Sequence, residues 1–229
     1  MRIFCLPHAG GSASVYLKWK KYLNKNIELV PIELSGRGSR MIEPFYNSLN
    51  EGIDDVSEII KGKIIEEEEY LIYGHSMGAL MTYEVCCKFL KEGVKLPKHI
   101  FLSGRHCPFI DRKETIAHKL NDEDFKEYIL SLKGTPKEVF LNKELSEIFL
   151  PIIKSDYKNI ETFQGINKTT VLPIPITVLN GYEDELTEEE IDGWSKLTNK
   201  NFKKLYFEGG HFFLHNHISE VAEVINEVV

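Results

Sequence analysis

At 229 residues, 42% of them hydrophobic, the chain can bury one substantial core and is short for two independent domains. A formal net charge of −7 and the lack of any long Lys/Arg run exclude a general attraction to phosphate backbones, so nucleic acid is not an expected partner. Four cysteines without C-x-x-C spacing, no apolar run of membrane-spanning length and no signal-like amino terminus predict a soluble, cytoplasmic protein with reduced, mostly buried thiols.

Six short runs, at residues 3–6, 27–34, 70–73, 100–103, 176–179 and 202–207, are apolar, β-branched or aromatic without polar alternation. Such runs suit strands covered on both faces, and the helix-like stretches between them predict an α/β fold with a mostly parallel central sheet flanked by helices. The third run leads into Gly74-His75-Ser76-Met77-Gly78 and then a helix-like stretch, 79–90, with Leu80, Tyr83, Cys87 and Leu90 at helical spacing and Gly93 as its stop. Strand, G-x-S-x-G and helix make the setting of a nucleophile elbow, a sharp turn that projects one serine hydroxyl above the sheet edge. A Cβ at either glycine would collide with the neighbouring strand and helix. The plainer alternative is a turn serine. The four glutamates at 66–69 read as a solvated helix end. From Cys107 to Phe163 the pattern changes to consecutive helical candidates at 122–132, 137–140 and 145–163, with no clear strand. One domain over 1–229 is therefore expected, with a helical lid insertion at about 107–163 over the active site; ordinary helices packed on the sheet are the alternative.

Serine is a weak nucleophile until a base takes its proton, so a carboxylate and a histidine are expected downstream in the order Ser, Asp or Glu, His. His211, in Gly209-Gly210-His211-Phe212-Phe213 just after the last apolar run, is the expected base; His215 and His217 compete from a terminal helix-like segment. Asp184 lies in the loop after the run at 176–179 and is the expected acid. Glu183 is its near rival, and Asp156, read as a charged residue on a lid helix, is the distant one. Two main-chain donors should receive the oxyanion: Met77 N–H at the start of a helix, whose dipole favours negative charge, and Ala9 N–H in His8-Ala9-Gly10-Gly11. His8 is read as a structural loop histidine rather than a base or ligand. Cys87 and Cys107 are rival nucleophiles without an elbow. Gly36-Arg37-Gly38 lacks the third glycine of a dinucleotide loop because position 41 is Met41, and there is no H-E-x-x-H or cysteine pair, so neither a cofactor nor a metal is expected.

Taken together, Phe4-Cys5-Leu6-Pro7-His8-Ala9-Gly10-Gly11, Tyr16, Trp19, Leu34-Ser35-Gly36-Arg37-Gly38, Tyr73-Gly74-His75-Ser76-Met77-Gly78-Ala79 and Leu102-Ser103-Gly104-Arg105 resemble the type II (external, editing) thioesterases of nonribosomal peptide and polyketide synthesis. The likeness continues through Leu150-Pro151, Asp156, Gly181, Asp184, Trp194 and Gly209-Gly210-His211-Phe212-Phe213-Leu214. Ser35 stands where that family usually has proline and is expected to loosen its loop. The resemblance implies an α/β-hydrolase fold and a serine hydrolase that clears acyl or aminoacyl thioesters from the phosphopantetheine arm of acyl or peptidyl carrier protein domains, as in antibiotic biosynthesis. The arm belongs to the substrate. Carrier proteins are usually acidic, as is this chain, so docking needs a local patch; Arg105, Arg112 and Lys113 are the candidates, with ordinary solvated charge as the alternative. Other readings are a medium-chain acyl-carrier-protein hydrolase, a general carboxylesterase, or a non-catalytic carrier-binding module.

Overall fold

The computed structural model describes residues 1–110, 116–165 and 167–229. Strands β1 (Arg2–Leu6), β2 (Glu28–Pro31), β3 (Tyr70–His75), β4 (His99–Ser103), β5 (Ile176–Gly181) and β6 (Phe202–Phe207) form one sheet in the order β2-β1-β3-β4-β5-β6. Every pairing in it is parallel. All carboxyl ends therefore share one edge. The chain steps outward from β1 to β2, returns past β1 to β3 and then continues the other way, so the order reverses between β1 and β3. In open parallel sheets a crevice forms at that reversal, beyond the strand ends.

Side chains alternate between the two faces of each strand. Phe4, Leu6, Ile72, Ile100, Leu102, Ile176 and Val178 share one core with α1 (Leu49–Lys61) and α2 (Met77–Glu92). Ile3, Cys5, Leu71, Tyr73, Phe101 and Leu179 share the other with Tyr16 and Trp19 of a 3-10 segment and with Val221, Ala222 and Ile225 of α7 (Ile218–Asn226). Both faces are covered, which is why the runs read as continuously apolar; each large side chain so buried contributes about 1.5–3 kcal/mol. Helix α1 starts at Ser48, whose side chain accepts the Glu51 N–H, and it buries Leu49, Ile53, Val56 and Ile60 at helical spacing. Gly93 ends α2 in the left-handed region, φ 68°, and returns its N–H to Phe89 O.

Three sequence expectations shift. The run at 27–34 pairs only over Glu28–Pro31: beyond Pro31 the chain leaves the edge of the sheet, although Ile32 and Leu34 stay buried. The glutamates 66–69 sit in an exposed turn, because α1 already ends at Lys61. Leu90, expected on the buried face of α2, is 39% exposed at the end of a helix otherwise enclosed by the sheet and α1.

Between β4 and β5 come α3 (Asp122–Ser131), α4 (Glu138–Leu141) and α5 (Lys143–Glu161), with no strand among the described residues there. These helices bury their own small cluster of Ala117, Phe125, Ile129 and Ile153. A short helix, α6 (Glu188–Asp192), follows β5. Among the described residues no helix is long and apolar enough to cross a membrane.

Candidate active site

Five parallel strands deliver the predicted site residues to one edge. At the end of β3, Ser76 has φ 55° and ψ −112°, a left-handed conformation that costs a non-glycine residue about 1–3 kcal/mol. The turn is fixed on both sides: Ser76 N–H donates to Ser103 O at 2.7 Å, and Ala79 N–H donates to Ser76 O at 3.0 Å. The flanking glycines are steric necessities, since a Cβ at position 74 would overlap the carbonyl of Gly78, and one at position 78 would overlap the carbonyl of Leu6 on β1. Met77 is the first residue of α2, so its N–H has no intrahelical acceptor.

Asp184 follows β5 and His211 follows β6, and the structure joins them: His211 Nδ1 lies 2.9 Å from Asp184 Oδ2. Glu185 N–H donates to Asp184 Oδ1 at 2.9 Å, which fixes the carboxylate from its other side. The Asp184 side chain is 9% exposed, whereas Glu183 is exposed. A proton on Nδ1, held by the carboxylate, leaves Nε2 as the basic nitrogen. The ring of His75, the residue before Ser76, lies 5.0 Å from that of His211, so the elbow and the imidazole are neighbours across the strand ends.

His211 belongs to a group of four imidazoles around Phe212. His8 and His211 each approach the Phe212 ring at 4.9 Å, His75 at 5.6 Å and His215 at 5.9 Å. Burial, with the nearby His215, His211 and Arg37, pushes the His8 pKa down to about 4. Burial and the same neighbouring imidazoles push His75 well below its usual range, and burial also lowers His215. Those three are neutral near pH 7, and of the four only His211 meets a carboxylate among the described residues. His215 and His217 precede α7 rather than lying inside it; His217 Nδ1 instead pairs with Glu220 Oε1 at 3.0 Å. Cys87 and Cys107 are buried, with pKa values pushed up to about 12 and about 11 by that burial, so their thiols are poor nucleophiles.

The loop after β1 is tied at four main-chain points. Gly11 N–H donates to His8 O at 2.9 Å, and His8 Nδ1 lies 2.9 Å from Ala9 O. Gly10 N–H donates to Asp156 Oδ2 at 2.7 Å, and Arg37 Nη1 donates to Gly11 O at 3.3 Å. Ala9 N–H, like Met77 N–H, has no acceptor among the described residues. Asp156 is neither an alternative acid nor a solvated charge on the insertion: it is 3% exposed and forms a two-pronged pair with Arg37 at 2.5 and 2.7 Å. Nothing local in the sequence marks this pair, whose members are 119 residues apart. Ser35 does not loosen its loop either, because its N–H donates to Tyr46 Oη at 3.1 Å and its hydroxyl to Pro44 O at 2.6 Å.

Beside the Asp156 contacts, the insertion packs on this edge at two glycines. Ile153 of α5 packs on Gly10, where a Cβ would come within 2.6 Å of its Cγ1, and Gly134 lies so close to the Phe212 ring that any Cβ there would overlap it. Arg105, just after β4, is half-buried and its carbonyl accepts the Trp194 indole N–H at 2.8 Å. Arg112 and Lys113 lie outside the described residues. Among the described residues no group of three His, Cys, Asp or Glu side chains is arranged to hold a metal.

The thioesterase domain family model matches residues 1–229. Linear gramicidin dehydrogenase LgrE of Brevibacillus parabrevis is 33% identical over 99% of this chain and 87% of its own. Gramicidin S biosynthesis protein GrsT of Aneurinibacillus migulanus is 34% identical over 97% of this chain and 86% of its own. The crystal structure of ClbQ from the colibactin NRPS/PKS pathway superposes with a TM-score of 0.93 at 36% identity, covering 99% of this chain and 95% of that one. With its parallel sheet, elbow and carboxylate-held imidazole on one edge, the chain belongs to the thioesterase domain family and is a hydrolase of the α/β-hydrolase fold.

Proposed function

We propose that this thioesterase hydrolyses acyl or aminoacyl thioesters on the phosphopantetheine arm of carrier protein domains, in the cytoplasm, clearing misprimed carriers of nonribosomal peptide or polyketide synthesis. The observation that carries the reading is the 2.9 Å Asp184–His211 pair on the same sheet edge as the strained Ser76. His211 Nε2 takes the proton of Ser76 Oγ as that oxygen attacks the thioester carbonyl carbon. The carbonyl oxygen becomes an oxyanion received by Ala9 and Met77 N–H, beside the positive end of α2. Collapse breaks the C–S bond, and His211 returns its proton to the departing pantetheine thiolate. Water then attacks the acyl–serine ester with His211 again as base, releasing the carboxylic acid and restoring Ser76. Asp184 holds the imidazole and stabilises its cationic form. Helices α3 to α5 form the lid over this edge.

The dehydrogenase name of LgrE suggests a second reading, which would need a dinucleotide loop. The segment around Gly36 and Gly38 does not fit one: it opens a three-residue 3-10 turn rather than a helix, Arg37 is spent on Asp156, and a Cβ at Gly38 would overlap the Glu33 carboxylate. Relationship to GrsT and ClbQ supports a carrier-bound substrate.

The test is a panel of acyl and aminoacyl groups loaded on one carrier domain and, in parallel, on free pantetheine. An editing enzyme should accept short and varied groups and turn over carrier-bound ones faster. Preference for medium fatty chains would favour the fatty-acid reading, and equal turnover of oxygen esters a general esterase. Charge reversal at Arg112 and Lys113, with Arg105 as the third docking candidate, should slow only the carrier-bound series; equal losses on both would reject docking there.

A further inference from the structure

The four ties on the loop after β1 do not fall at random. A trans peptide points its C=O and its N–H in opposite directions. Gly11 N–H therefore turns Ala9 N–H toward the opposite side when it holds His8 O, since these two groups share one peptide plane. The next plane is held at both ends, its oxygen, Ala9 O, by His8 Nδ1 and its nitrogen, Gly10 N–H, by Asp156. Two of these contacts are local to the loop. The remaining anchors, on Gly10 N–H and Gly11 O, come from Asp156 and Arg37, which lie on other elements and are buried to 3% exposure. Gly36 and Gly38, with φ of 77° and 50°, flank Arg37 and turn it inward.

We infer that Asp156 and Arg37 are positioning residues for the oxyanion: α5 of the insertion and the loop after β2 jointly set the direction of Ala9 N–H without touching the substrate. This rests on the proposed function, in which Ala9 N–H receives the oxyanion. A neutral, polar loop ligand would tie Gly10 alone; the two-pronged charge pair holds Gly10 N–H and Gly11 O, the planes on either side of the one whose Gly11 N–H holds His8 O, so that plane resists rotation. The arrangement also fixes one side of the insertion to the catalytic edge, with Ile153, one helical turn before Asp156, packed on Gly10.

The experiment compares Asp156→Asn, Arg37→Gln and the double variant, which leaves no unpaired buried charge and so keeps the test available if either single variant misfolds. Each is measured with two ligands of equal length: an acyl-pantetheine trifluoromethyl ketone, which Ser76 converts to a tetrahedral oxyanion, and the corresponding thioether, which has no carbonyl. In the folded double variant, ketone affinity and kcat should each fall between about tenfold and a hundredfold, with thioether affinity and KM within about twofold. Equal weakening of both ligands would overturn the inference in favour of a general packing role, and undiminished ketone affinity would overturn it outright. If the parent enzyme itself fails to prefer the ketone, the proposed function falls and takes this inference with it.

Discussion

Gly78→Ala tests whether the elbow and the loop after β1 act as one unit. The new methyl would overlap Leu6 O and stand 2.7 Å from Leu6 C and 2.8 Å from Pro7 O, inside the 3.0 Å that real Cβ contacts respect. Neither side yields easily: Tyr16 Oη donates to Leu6 O at 2.7 Å, and Gly78 O accepts the Thr82 hydroxyl at 2.8 Å. The end of β1 and the start of α2 must part by about 1 Å, a displacement that costs about a hundredfold in rate when it separates groups acting on one atom. Pro7 leads through His8 to Ala9, and Met77 precedes Gly78, so the two proposed oxyanion donors are the groups driven apart. A hundredfold loss corresponds to about 2.7 kcal/mol of transition-state stabilisation, and the crowding itself should cost about 1–3 kcal/mol of stability. The assay is kcat on an acyl-pantetheine thioester per active serine, titrated with a fluorophosphonate, beside thermal unfolding by circular dichroism. Folded Gly78→Ala enzyme turning over at the parent rate would show that the elbow and the loop after β1 are not coupled.

Asp184→Asn keeps the size of the side chain but removes the negative charge that faces His211 Nδ1; kcat should fall by about ten-thousandfold with KM nearly unchanged, and a loss confined to KM would contradict the orienting role. Acidification should destabilise the protein in a defined window. Burial, aided by Lys203 and Lys98, lowers His99 from 6.5 to about 4, so the unfolded chain gains its proton first as pH falls. The corresponding stability is whole above pH 6.5 and is lost between 6.5 and 4. His99→Gln, which can still reach the Thr177 hydroxyl, should reduce the slope of melting temperature against pH in that window, and an unaltered slope would refute the assignment.

The sheet is legible because four of its six strands, β1, β3, β4 and β5, are buried on both faces, which leaves continuous apolar runs rather than alternation. The edge strand β2 is shorter than its run: Ile32 and Leu34 are as apolar and buried as strand residues, yet the paired register ends at Pro31, after one last bond from Ile32 N–H to Cys5 O. Ser76, Asp184 and His211 could be picked out because each sits within a few residues of a strand end, so local context carries the information. Asp156 could not. Its meaning depends on Arg37, far away in sequence, and an isolated aspartate on an amphipathic helix looks like a solvated charge. Ser35 departs from expectation for a related reason: a residue that replaces proline loses the ring's stiffness but gains a hydroxyl and an N–H, and here both find partners.

The proposed chemistry requires one serine to form a covalent acyl intermediate. It is tested most directly by mixing the enzyme with an acyl-pantetheine thioester, quenching within the first turnover and locating the acyl mass by peptide mass spectrometry. The expected result is an acyl group on the peptide carrying Ser76, absent from Ser76→Ala, with hydrolysis lost in that variant. An acyl group on another residue, or Ser76→Ala enzyme that hydrolyses the thioester at the parent rate, would contradict it.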